Sequence, residues 1–308
     1  MILNSKKNQL NQLKAIKNNN MIEYRYNAEI DFLEIDPMFL QNGISYAENN
    51  QYDSIRITTL NGYYNEKYIL DLSPFEDKTF IKKIIIGDDF KITKILGLSY
   101  IEKLTELRYF QIMPAINIDV HKLTSIETFL IKNDRKISGL NELINVKKML
   151  ISSTQYENLY HINKLKQLEN LHLSGNKILK LSGIENLQNI QDLKLTYCSA
   201  LSDIQAITYL PKLSRLYIEK CKNIHDLSFL NENQTIQEIF IDDISSLDFI
   251  PSLTKLKQFS FWNCKNGNLK PLLQSESLTN VNFFPNKRYY SHTLDNILKS
   301  INMKKNNF

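Results

Sequence analysis

The sequence predicts an α/β solenoid. Short coils stack so that each adds one strand to a parallel β-sheet on a concave face and returns along a mostly extended or 3-10 convex side. Three observations predict it. Leu168, Leu171 and Leu173 recur as Ile190, Leu193 and Leu195, displaced by 22 residues, with Ile178, Leu181, Ile184 and Leu187 keeping an apolar residue at every third position between. Leu72, Leu98, Leu181, Ile204, Leu227 and Leu247 keep a second phase, each standing nine residues ahead of the next triplet. The triplet itself returns eleven times between Tyr52 and Phe283. Its two-residue alternation makes a short strand with one face inward, and a single unit cannot bury its apolar side alone, so the units must stack.

Composition agrees with a folded solenoid. Hydrophobic residues make up 43% of the 308, and no apolar run approaches the ~20 residues a membrane-crossing helix needs. Lys6, Lys7, Lys14 and Lys17 near the start and Lys299, Lys304 and Lys305 near the end account for the excess of base, since 31 basic against 33 acidic residues remain without them. A body of that balance is a poor binder of phosphate backbones, which demand clustered cations. The lysine-rich ends read as solvated termini, with nucleic-acid arms as the alternative. The first 20 residues hold neither a continuous apolar core nor a small-residue cleavage site, so the expectation is a cytoplasmic protein without a signal peptide.

In chain order, residues 1–51 are expected to form an N-terminal cap. Leu10, Leu13 and Ile16 permit one amphipathic helix ended by Asn18, Asn19 and Asn20. Alternation from Tyr24 to Phe32 then predicts an extended segment, and Asn42-Gly43 a turn. The solenoid follows over 52–286. Its triplets begin at Tyr52, Ile81, Leu107, Ile126, Val146, Leu168, Ile190, Leu213, Ile236, Leu256 and Leu278, with an excursion at Asn61–Asn65 lengthening the first interval. Spacing near 22 residues leaves little room for a full helix on the return side. Over 287–308, Leu294, Ile297, Leu298 and Ile301 share one helical face behind a capping Ser291, which predicts a C-terminal capping helix, with a loose tail from Asn302.

These coils, most clearly 168–255, resemble the short leucine-rich repeats of phosphatase-regulatory subunits and bacterial internalins. The resemblance spans about 52–286 and implies a leucine-rich repeat horseshoe; it carries little about function. Abundant Asn, Lys and Ile with only 8 Gly point to an AT-rich bacterial genome.

No phosphate loop, nucleophile elbow, metalloprotease or dinucleotide motif occurs, so no enzyme and no cofactor are expected. Cys198, Cys221 and Cys264 each stand eight residues after the first apolar residue of their triplet, as Asn176 and Asn286 do. They lack zinc-ligand spacing and read as small buried residues of a turn ladder.

The informative surface is the concave face, where residues between the inward positions point outward. Its central column is Arg56, Ile85, Gln111, Leu130, Leu150, His172, Lys194, Tyr217, Phe240, Ser260 and Asn282; two residues on come Met113, Glu219, Asp242, Trp262 and Phe284. Tyr217, Phe240, Trp262 and Phe284 therefore run across four successive coils, with Glu219, Glu238, Asp242 and Asp243 among them and His172 and Lys194 on the coils before. Aromatic anchors with a charged rim suit protein binding; cover by the C-terminal segment is the other way such a patch arises.

The expected function is non-enzymatic: a monomer that grips a partner protein in its concave face, a toxin or an enzyme being the class considered, as an immunity or inhibitor protein would. A membrane is not expected as partner. A nucleic-acid-associated protein using its lysine-rich termini, and a structural scaffold subunit, are the alternatives.

Overall fold

The computed structural model describes residues 16–18, 21–62, 67–132, 134–175 and 177–305. Two compact units divide the chain: Met1–Lys132 with Lys136–Val146, and Asn133–Arg135 with Lys147–Phe308. Both are stacks of leucine-rich repeat coils.

In the first unit, β1 (Ile16–Asn18) and β2 (Met21–Asn27) are antiparallel, as are β2 and β3 (Phe32–Ile35). From β3 the ladder runs parallel through β4 (Ser54–Ile57). On the return side, β5 (Tyr68–Asp71) pairs with β7 (Ile92–Leu96), while β6 (Lys83–Ile86) and β8 (Tyr109–Ile112) continue the main ladder. The short β9 (Ile118–Asp119) pairs with β11 (Ile137–Ser138), and β10 (Thr128–Lys132) lies beside β8. Leu33, Ile55, Ile84, Phe110 and Phe129 stand in one register and are buried. This is the inward position that the triplets define.

The ladder starts one coil earlier than the eleven triplets indicate: Ile30, Leu33 and Ile35 repeat their spacing, with Leu33 and Ile35 buried and Ile30 exposed. The return from β3 is a helix, α1 (Leu40–Asn50), where the sequence suggested a turn at Asn42-Gly43. Leu40, Ile44 and Ala47 put a buried stripe on the core side, and Gly43 sits among them. Gly43 is there for close approach: a Cβ would lie 2.4 Å from Cγ2 of buried Ile35. Of the helix expected near the start, residues 1–15 lie outside the described residues, and Ile16–Asn18 is strand. The excursion at 61–65 also falls largely outside them.

The second unit carries β12 (Lys148–Ser152), β13 (Asn170–Ser174), β14 (Asp192–Thr196), β15 (Arg215–Glu219), β16 (Glu238–Ile244), β17 (Gln258–Cys264) and β18 (Asn280–Phe283), each parallel to the next. Met149, Leu171, Leu193, Leu216, Ile239, Phe259 and Val281 are paired across them and buried. Return segments are 3-10 turns such as Ile184–Asn186 and Ser228–Leu230. Another return is the short α3 (Lys270–Gln274); α2 (Leu98–Glu102) serves a coil of the first unit.

The last coil is closed by α4 (Leu294–Lys305), which packs on β18 and α3. Ile297 and Ile301 are its buried stripe, worth about 1.5–3 kcal/mol each. Its cap differs from expectation: Thr293 Oγ1 accepts the Asn296 N–H at 3.3 Å, while Ser291 Oγ accepts the Leu269 N–H at 2.9 Å. Residues 302–305 are helical, tied down by Lys304 Nζ donating to the carbonyls of Leu273 and Ser275.

The turn ladder eight residues into each coil holds more than Asn and Cys. Cys198 Sγ donates to the Leu173 carbonyl one coil back, and Cys221 Sγ to that of Leu195. All three cysteines are free and buried. The same position carries Asp89, Asp134 and Thr154. Asp134 is fully buried; it accepts the Thr154 hydroxyl and the Gln155 N–H, and faces His161 Nε2 at 2.8 Å. Asp89 Oδ2 accepts from both hydroxyls and one amide of Thr58 and Thr59. Polar side chains here cap loose backbone groups where the strand turns away.

Candidate functional site

On the open strand face of the second unit, parallel register sets side chains in rows one coil apart. His172, Lys194, Tyr217, Phe240, Ser260 and Asn282 are such a row. Tyr217 and Phe240 stack with ring centroids 4.4 Å apart and planes 15° from parallel. Trp262, on the neighbouring row, meets Phe240 edge-to-face at 5.4 Å. Geometries of both kinds suit the ring quadrupole, at about 0.5–1.5 kcal/mol per pair beyond burial. The cluster is uncovered: Trp262 keeps 40% of its surface in solvent.

The charged candidates divide into two groups. Glu219 accepts the Tyr217 phenol at 2.7 Å, and Lys194 Nζ lies 4.6 Å from the Tyr217 ring centroid. Burial first, then the bond to Glu219, pushes the Tyr217 hydroxyl up to about 12. His172 Nε2 is 2.9 Å from Thr196 Oγ1, and burial followed by Lys194 lowers its pKa. Asp242 accepts the backbone N–H of Lys220, whose ammonium lies 5.1 Å over Trp262. These residues form one connected group around the rings.

Asp243 and Phe284 stand apart from it, and Glu238 meets it across a shared hollow. Asp243 accepts Asn263 Nδ2 and pairs with Lys265 at 3.1 Å. Glu238 lies on the row two residues before Phe240, beside Arg215 and Gln258. Phe284 follows β18 and is 78% exposed, with no ring contact among the described residues. The C-terminal segment does not cover the cluster: Tyr290 packs on the inward Phe261 and Phe283, and Tyr289 on Tyr290.

The sequence reading passed over the row of Asp192, Arg215, Glu238 and Gln258 as a unit. Arg215 and Asp192 form a two-pronged ion pair one coil apart. Arg215, Glu238 and Phe240 are among the walls of a hollow of about 410 Å³. The central column, extended two residues back, contains the signal that would have found it. In the first unit, Met113 lines a separate hollow of about 420 Å³ with Tyr109 and Arg56. Among the described residues no group of three His, Cys, Asp or Glu side chains is placed to hold a metal ion.

No protein-family model matches the chain, and no curated protein does. Solved structures do. An internalin, InlF, from Listeria monocytogenes superposes with a TM-score of 0.56 at 19% identity, covering 81% of this chain and 70% of that one. The functional domain of InlJ from Listeria monocytogenes, which includes a cysteine ladder, gives 0.51 at 16% identity over 75% of this chain and 48% of its own. Likeness at that identity shows the fold: the protein is a leucine-rich repeat solenoid of the type found in bacterial internalins. Among the described residues no helix is long and apolar enough to cross a membrane.

Proposed function

We propose that this chain is a non-enzymatic protein-binding module whose working surface is the open strand face of the second unit. The observation that supports it is the cluster of half-buried Tyr217 and Phe240 with exposed Trp262, held between Lys194 and Lys220 and edged by Glu219 and Asp242. The rows are fixed by strand register, so the face loses little ordering entropy on binding. Aromatic side chains centred among charged ones are where binding energy concentrates.

The finer reading is a monomeric cytoplasmic protein that neutralises a toxin or an enzyme. A rigid face of this kind inhibits by occlusion when it seats over a partner's working surface. Capture from the source organism identifies the partner, and calorimetry with purified Trp262→Ala and Phe240→Ala variants then tests the face. Each variant should weaken binding by about 2 kcal/mol or more; unchanged affinity in both rules the face out. Inhibition of the captured partner's activity tests the neutralising role separately.

A further inference from the structure

The rim at the start of the second unit's strands carries a groove of about 870 Å³ with a different character. Lys212, Lys255 and Lys257 line it with Gln234, Gln237 and Ser277, and none of its walls is a carboxylate or an aromatic ring. The placement follows from the register. Lys212 and Lys255 precede the first inward residues of their coils, Leu213 and Leu256, and Lys257 follows Leu256. All three lysines are exposed. Lys212 Nζ donates to Asn189 Oδ1 at 2.7 Å, and no carboxylate lines the groove beside Lys255 and Lys257. Three lysines thus line a common hollow without a counter-charge in its walls.

We propose that this groove binds an acidic polypeptide segment, at a site separate from the aromatic face. Lys212 and Lys255 stand two coils apart, about 10 Å at the ~4.8 Å strand spacing. Carboxylates at every second residue of an extended chain share one face and recur every ~7 Å, so one face of such a segment presents a run of them along the groove. The glutamine amides and hydroxyls between the lysines suit peptide groups. A nucleic acid is a poorer match: no ring is present for base stacking, and three cations neutralise too few phosphates to hold a duplex.

The test uses the full chain and a fluorescein-labelled decapeptide alternating Glu and Ser, titrated by anisotropy at about 50 mM salt, where screening is weak. Saturable binding is expected, weakening as salt rises. It should fall at least tenfold in the K212E/K255E/K257E variant and be unchanged in Trp262→Ala, which separates this site from the aromatic face. Circular dichroism establishes that the triple variant is folded, and a K212Q/K255Q/K257Q variant should lie between. Absence of saturable binding, undiminished binding by the folded triple variant, or tighter binding of an oligothymidine of equal charge would each overturn the proposal.

Discussion

Replacing Gly43 by alanine sets two effects of known sign against each other. Alanine in a helix interior is favoured over glycine by about 1 kcal/mol, so by propensity alone the change should stabilise α1. The structure says otherwise. The added Cβ would lie 2.4 Å from Ile35 Cγ2 and 2.7 Å from both Cγ1 and Cδ1, more than ~1 Å inside ordinary carbon contact. Ile35 is fully buried and β-branched, so it has no free rotamer into which to retreat. Overpacking of this kind costs about 1–3 kcal/mol, which leaves a net loss of up to roughly 2 kcal/mol after the propensity gain. Urea unfolding measures the net effect, and amide exchange over Ile44–Asn50 localises it to the helix. In an Ile35→Ala background the same substitution should turn neutral or stabilising. A Gly43→Ala protein more stable than its parent would refute the packing argument.

Two further outcomes concern titration and the closing helix. Tyr217, Tyr26 and Tyr290 all have hydroxyls pushed up to about 12 from an ordinary value of 10.0, burial being the largest cause in each. A pKa raised on folding stabilises fully below 10 and is lost as pH climbs towards 12, so alkaline unfolding is expected in that window. Glu219→Gln should bring one phenol transition to lower pH in an ultraviolet titration; an unmoved curve contradicts the Tyr217–Glu219 bond. Ile297→Ala, at a fully buried position of α4, should cost about 2–5 kcal/mol. Thermal unfolding checks it, and a shift no larger than that of an exposed control such as Met303→Ala would mean the helix does not close the last coil.

The inward register was legible from sequence because strand alternation is local: Leu171 and Leu173 point inward whatever stacks on them. The outward rows follow from the same arithmetic, which is why Tyr217 and Phe240 could be placed side by side from spacing alone. The early start of the ladder at β3 escaped because the alternation from Tyr24 to Phe32 runs straight into it and masks the triplet Ile30, Leu33 and Ile35. α1 escaped for another reason: Asn42-Gly43 has the local chemistry of a turn, and only Ile35, eight residues earlier, shows that the glycine serves close packing.

What the sequence by itself determined was therefore the repeat, its phase and the two faces of each strand. What only the tertiary structure decided was how side chains 20 or more residues apart pair across coils: Arg215 with Asp192, Lys220 over Trp262, Thr154 on Asp134. The charge sequence of the chain places cations near the aromatic residues but cannot say whether they compete with a partner or rest on the rings. That depends on rotamers selected by neighbouring coils, and those neighbours exist only once the coils have stacked.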